Sequence, residues 1–406
     1  MPLCQTPSFS RRKLLGLSGS LVASAFIPRF ARAADGRDPR FITIILRGAM
    51  DGLSAVAPVG DPDYASLHGD LALTKMGENS GITLDNFFSL NPAMTNFARL
   101  YQKGQAGIIH ATATAYRDRS HFDGQDVLES GFAGPGKTDS GWLNRAIAAL
   151  PQGQRIGPKS SLAVGAVAPL VIRGPAETLG WAPTGLQAVG DPLAMRLLDL
   201  YTHRDPKLAA LLQSGLDTQK LASGAMSGMN TADHPNEMVL QARGAARLMA
   251  ADDGPRLVAM AFDGWDTHEN EGGAKGRLFN LLTGLDGAIA EFESALGAAW
   301  SQTSIVVMTE FGRTVQVNGT VGTDHGTGTL AFLAGGAVKG GRVIADWPGL
   351  KTAQLYQGRD LNPTTDLRAV LKGLLADQLG LSEQVLASTI FPDSGSVKPM
   401  KGLITA

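Results

Sequence analysis

Short β-branched apolar runs recur along the chain, and several stop abruptly in loops of acid, histidine and glycine. Phe41-Ile42-Thr43-Ile44-Ile45-Leu46 ends in Arg47-Gly48-Ala49-Met50-Asp51-Gly52, and residues 107–113 form a second run. Residues 256–262 end in Asp263-Gly264-Trp265-Asp266-Thr267-His268. Residues 304–308 end in Thr309-Glu310-Phe311-Gly312-Arg313, with Gly322-Thr323-Asp324-His325-Gly326 beyond and a further run at 328–334. Runs of this length, bounded by turn residues, predict buried strands. In open α/β sheets ligands bind outside the carboxyl ends of the strands, so the pattern would deliver several carboxylates and two imidazoles to one rim.

Apolar residues at helical spacing predict helices over 91–103, 142–150, 193–203, 207–221 and 237–249. Pro92 falls in the first turn of the earliest of these. Ser120 and Asp123 have capping-box spacing and predict a helix start there, and Asp366 caps a last helix reaching about 375. Residues 58–90 read as loop-rich, 161–171 as one or two strands, and 223–230 as a small-residue crossing. The stretch 141–251 therefore reads as a mostly helical insertion within a single domain over 34–406. His110 sits inside an apolar run and reads as a satisfied core histidine. His203 and His234 lie in polar settings and read as solvent-exposed.

Composition changes this picture at the amino end. The chain has 36 basic and 37 acidic residues, but five of the basic ones (Arg11, Arg12, Lys13, Arg29, Arg32) precede the first acid. Taking those away leaves 31 basic against 37 acidic, a net charge of −6. No basic face for nucleic acid is implied. Ser10-Arg11-Arg12-Lys13-Leu14-Leu15 is a twin-arginine pattern, followed by an apolar stretch over 14–27 and the small-residue site Ala31-Arg32-Ala33. That layout predicts a cleaved export signal at 1–33 and a periplasmic or otherwise exported protein handled by the twin-arginine machinery. The apolar stretch is shorter than the ~20 residues a membrane span needs, and no other segment is long and apolar enough. The single cysteine, Cys4, lies within the signal, so thiolate metal sites and disulfides are excluded from the mature chain.

Candidate chemistry follows from the loops. Asp51, Asp263, Asp266, His268, Glu310, Asp324 and His325 are oxygen and imidazole donors at predicted strand ends, a mix that suits Zn²⁺, Mn²⁺, Mg²⁺ or Ca²⁺. Asp51 also reads as a turn residue before Gly52. Ser120 reads as a helix cap or as a nucleophile at a helix amino end that favours an anion, with Arg117, Arg119 and His121 crowding the same turn. Arg47 and Arg313 are the guanidiniums expected to hold non-bridging oxygens of a phosphate or sulfate ester.

The segments 46–52, 119–126, 262–268, 309–313 and 322–326 together resemble a widespread, mostly uncharacterised bacterial family whose members carry twin-arginine signals. That family is grouped with the alkaline phosphatase/sulfatase-like superfamily. The resemblance covers roughly 40 to 390 and implies a three-layer α/β sandwich, with a central, mainly parallel sheet, helices on both faces and a metal-type rim. It places His268 and His325 where histidines of one metal would stand, Asp263 or Asp266 as the carboxylate, and Ser120 near the nucleophile position. Two departures stand out. Glu310-Phe311 occupies the place of an Asp-His pair, leaving a second metal position short of a ligand, and no S/C-x-P-x-R follows Ser120, which disfavours a formylglycine sulfatase.

The leading expectation is an exported metal-dependent hydrolase of phosphate or related esters, acting on a small-molecule or envelope anionic ester. The alternative is a catalytically inactive protein of the same fold that binds an envelope ligand or partner. A third reading is an assembly factor working with a second exported protein. The enzyme reading requires His268 and His325 to meet in one pocket.

Overall fold

Every residue of Arg40–Leu46 (β1) is buried, which is the signature of a central strand covered on both faces. Along it, Ile42, Ile44 and Leu46 enter one apolar cluster while Phe41 and Ile45 enter another, as the two-residue period of a strand requires. Each such fully buried side chain contributes about 1.5–3 kcal/mol. The computed structural model describes residues 38–150, 161–183, 191–210, 212, 213, 215, 216 and 236–405. The expected leader at 1–33, the loop at 223–230 and His234 lie outside the described residues. No helix among the described residues is long and apolar enough to cross a membrane.

The main sheet comprises β1, β2 (Ala106–Ala113), β3 (Ser161–Val164), β4 (Leu179–Trp181), β5 (Leu257–Phe262), β6 (Thr303–Met308), β7 (Thr329–Ala334), β8 (Val343–Ile344) and β9 (Thr365–Asp366). Its order is β8-β2-β7-β6-β1-β5-β3-β4, with β9 also pairing β2. β1 lies parallel between β5 and β6, and β3 is parallel to both β4 and β5. β7 alone is reversed, antiparallel to β2 and β6. The 141–251 stretch contributes β3 and β4 to this sheet as well as helices.

Helices cover both faces. α1 (Thr95–Gln102), α5 (Glu237–Ala250) and α6 (Arg277–Leu296) pack on the face of Ile42, Met260, Val307 and Phe332. The other face, with Phe41, Ala259, Val306 and Leu333, receives Leu128 of α2 (His121–Ser130), α3 (Trp142–Ala149) and α7 (Leu367–Leu379). A further helix, α4 (Asp191–Arg204), lies between α3 and α5 in the chain. The result is a three-layer sandwich.

Two local expectations shift. α1 begins at Thr95 rather than at Asn91-Pro92, because the Asn91 side chain closes a turn onto the Ala93 amide at 3.1 Å and donates to the carbonyls of Ser54 and Gly273. Residues 56–90, read as loops, carry a small antiparallel sheet of Val56–Ala57, Ser89–Leu90 and Ile82–Thr83. His110 is fully buried, sits 3.0 Å from the Val56 carbonyl and packs on Phe88. Burial brings its pKa down to about 4.

Candidate metal centre

The strand directions decide which loops meet. β1, β5 and β6 are parallel, so the loops leaving them (47–51, 263–268 and 309–313) emerge at one rim. Because β7 runs the other way, the segment entering it, with Asp324 and His325, arrives at that rim too. Backbone pairing of Arg313 with His325 ties it down. α2, which follows β2, brings His121 as its first residue.

At the meeting point the Nε2 atoms of His121 and His325 are 2.9 Å apart, and those of His268 and His325 are 3.0 Å apart. Asp266 offers its carboxylate 3.3 Å from His325 Nε2, 3.4 Å from His121 Nε2 and 3.1 Å from His268 Nε2. His121, Asp266 and His325 form a triad whose donor atoms all lie within 4.8 Å of one another, and His268 stands on its Asp266–His325 side. All four side chains are part-exposed.

The outer nitrogens fix the tautomers. His325 Nδ1 lies 3.1 Å from the Arg119 carbonyl, His121 Nδ1 2.8 Å from Glu310 Oε1, and His268 Nδ1 3.2 Å from Asp324 Oδ1. All three partners only accept, so each Nδ1 carries the proton and each ring, when neutral, presents a lone pair on Nε2. Imidazoles backed by a carboxylate or carbonyl in this way are the usual pattern for metal ligands. Lone pairs this close, with a carboxylate beside them, repel unless a proton or cation lies between. Nitrogen and oxygen ligands about 2.0–2.1 Å from zinc, subtending about 90–110°, lie roughly 3.0–3.4 Å apart. The observed spacings fit a divalent cation.

A second layer holds these groups. Glu310 is fully buried and accepts from the Gly48 amide at 2.8 Å, Gln125 at 3.2 Å and the Thr309 hydroxyl at 2.9 Å, as well as from His121. Burial alone would raise its pKa, but these donors hold it below the usual carboxylate value. The bond to Glu310 in turn raises His121 above the ordinary imidazole value. His325 is lowered, first by burial and then by the charges of His121 and Arg313. Asp266 is partly buried, which works against its charge, yet Arg313, His268 and His121 bring it below the usual range. Gly48 packs so closely on the Asp266 backbone nitrogen that a Cβ would collide with it, and its φ of +117° suits only glycine.

Several sequence candidates are placed elsewhere or turned inward. Asp51 is buried and caps the short helix Gly52–Ala55, accepting from the Leu53 and Ser54 amides at 2.8 and 3.1 Å. Asp263 is exposed at the start of its loop. Glu310 and Asp324 stand behind His121 and His268, with Asp324 also accepting from Asn318. Arg47 is engaged by Glu129, at 2.6 Å. Arg313 is buried and donates to the carbonyls of Gly48, Ala49, Trp265 and Thr323 and to Asp266, so it orients a ligand and has little left for a substrate oxygen. Phe311 packs beside the rings of His121 and His325, at 5.0 and 5.3 Å between centroids. Ser120 is the N-cap of α2 without a side-chain cap hydrogen bond, so its hydroxyl is not committed to the helix.

Arg119 and Arg359 lie close to His325, whose Nδ1 faces the Arg119 carbonyl. Both bind the fully buried Asp360, at 2.7 and 2.8 Å. Arg119 reaches it with φ at +62°, an uncommon conformation for a non-glycine residue. Arg359 also donates to the His325 carbonyl and is partly exposed. The sequence reading did not single out Arg359. Its only signal was the adjacent Arg359-Asp360 pair.

No curated protein sequence matches the chain. Among solved structures, Ps i-CgsB in complex with k-i-k-neocarrahexaose is 12% identical over 89% of this chain and 77% of that chain, with a TM-score of 0.44. The TAB5 alkaline phosphatase with Mg bound is 14% identical over 74% and 91%, with a TM-score of 0.34. The zinc complex of the C-terminal periplasmic domain of EcEptC from Escherichia coli is 10% identical over 73% of each chain, with a TM-score of 0.32. A family model described as protein of unknown function (DUF1501) matches residues 38–390, and the chain belongs to that family.

Proposed function

We propose that the protein is an exported, metal-dependent hydrolase of phosphate or related esters. The observation that carries this reading is the convergence of imidazole lone pairs and the Asp266 carboxylate, each backed by an outer hydrogen bond. His121, Asp266 and His325 would hold the ion, with His268 beside them. A divalent cation held there would polarise an ester oxygen and favour the ionised form of a nearby hydroxyl or water. Ser120, next in the chain to His121 and free of a capping bond, supplies a hydroxyl for attack on the ester centre. Arg359, part-exposed and anchored through Asp360, is the group best disposed to hold an anionic substrate oxygen. The twin-arginine pattern of Ser10-Arg11-Arg12-Lys13-Leu14-Leu15 is the sequence feature that supports placing this chemistry outside the cytoplasm.

The test is metal analysis of protein exported by its own host, paired with a panel of phosphate and sulfate esters. One equivalent of a divalent ion and turnover of at least one ester class are expected. Metal-free native protein whose stability ignores chelator would sink the reading. Ser120→Ala should retain its metal and lose turnover by about two orders of magnitude or more, and full retention of turnover would assign the attack to water. Arg359→Ala should raise KM by about tenfold with kcat nearly unchanged, the pattern of a group that binds ground and transition states alike.

A second reading, a metal- or ligand-binding protein without catalysis, is favoured by Phe311. Its buried ring packs beside His121 and His325 and against Gly124. Bound metal with no turnover across the ester panel would select it.

A further inference from the structure

Behind the ligand loops lies a buried acid that the metal reading leaves without a role. Glu271 is fully buried. Its Oε2 accepts from the hydroxyls of Thr267 at 3.0 Å and Thr323 at 2.6 Å. Thr267 sits between Asp266 and His268, and Thr323 lies two residues before His325. The Thr323 amide also donates to the Thr267 carbonyl at 3.3 Å. One carboxyl group thus spans the two loops that bring three of the four central side chains together.

The other oxygen gives the protonation state. No N–H or O–H among the described residues reaches Glu271 Oε1, and the Asp51 side chain lies close enough to the Glu271 carboxyl for the two to share a hydrogen bond. Two carboxyl groups bond only when one of them carries a proton. Asp51 Oδ1 already takes two backbone amides. His68 Nδ1 donates to the Val315 carbonyl at 3.0 Å, and with the ring neutral its Nε2 accepts the Ser54 hydroxyl at 2.8 Å. Asp51 Oδ2 then has the Ser54 hydroxyl no nearer than 3.5 Å and His68 Nε2 no nearer than 3.6 Å, which leaves room for a proton from Glu271. Burial, followed by the Asp51 charge, pushes the Glu271 pKa well above the carboxylate range.

We propose that Glu271 is a positioning residue: a neutral carboxyl that donates to Asp51 and ties the loop of Asp266 and His268 to the loop of His325, holding the donors at ligating distance. This role rests on the metal reading of the centre, and its test separates the two. Zinc affinity would be measured by competition with a chromophoric chelator in the full chain. Glu271→Gln keeps an accepting oxygen and a donor toward Asp51, and should bind zinc within about threefold of wild type. Glu271→Ala should bind at least about tenfold more weakly, as supporting residues of metal ligands generally do.

If wild type binds zinc and Glu271→Ala binds it equally well, the positioning role is overturned and the metal reading stands. If Glu271→Gln falls as far as Glu271→Ala, the neutral-carboxyl assignment is overturned. Wild type that binds no zinc overturns both. Should Glu271→Ala fail to fold, Thr267→Val with Thr323→Val removes the two hydroxyls instead, and unchanged affinity in that double variant counts against the role.

Melting without metal gives a readout that a merely structural role would not move. Folded wild type keeps the Glu271 proton and releases it on unfolding above the ordinary carboxylate range, so its stability drains away as pH rises. The glutamine variant lacks that loss, and its melting temperature should gain on wild type as pH rises above about 5. Asp51, His68 and Tyr64, the titratable groups around the pair, are common to both proteins. A gap that does not change with pH would overturn the protonated assignment.

Discussion

His325→Ala is expected to weaken zinc binding by more than about 100-fold, beyond what loss of an outer-shell partner costs, and to abolish any ester hydrolysis. His325 Nε2 is the hub of the centre, within 3.3 Å of His121, His268 and Asp266. Its removal also leaves the Arg119 carbonyl without its imidazole donor. The ring is part-exposed, so the fold should survive. Calorimetric titration with zinc and the melting shift on adding it report the result. Zinc in hundredfold excess over its Kd should stabilise wild type by about 2.7 kcal/mol and the variant hardly at all. A variant that still binds one equivalent at near wild-type affinity would remove His325 from the ligand set and with it the proposed reading.

Arg313→Met should be the more damaging change to the fold, costing about 3–5 kcal/mol, because several buried carbonyls lose their donor at about 1–3 kcal/mol each. The guanidinium is buried, and its donors satisfy four backbone carbonyls from three loops as well as Asp266. Methionine fills much of the volume but supplies no N–H, so those carbonyls become unsatisfied acceptors, each a real penalty. Denaturant melts of the metal-free protein measure the loss directly. A cost under about 1 kcal/mol, the scale of an exposed pair, would mean that water or a local shift replaces the guanidinium. The same variant should bind zinc more weakly, because Asp266 loses the cation that orients it.

The strands were legible because burial on both faces leaves an unbroken apolar signature, as in Phe41 to Leu46 and in β6. Asp266, His268 and His325 were legible as site candidates because donors in Gly-rich loops at strand ends are exceptional. What the sequence could not convey is the direction in which a side chain turns. Asp51, Glu310 and Arg313 lie in the right loops, yet each faces inward, toward amides, a ring nitrogen or carbonyls. His121 was expected to steady an anion, and only the path of α2 over the sheet puts its Nε2 beside His325. Glu271 was missed altogether. Its one trace was an acid four residues after the threonine of the Asp-Thr-His loop, a spacing that means little until Thr323 is known to be near.

The reversed strand β7 has a consequence for how such a protein can change. Its incoming connector, from Arg313 to Thr329, leaves the rim and returns to it, so both ends are anchored beside the centre while the sheet is untouched. The middle of that flap leans on the neighbouring loop, where Asn318 and Thr320 both donate to the His268 carbonyl. Grafting the flap between relatives would therefore transplant one side of the centre, His268's support included, in one continuous piece.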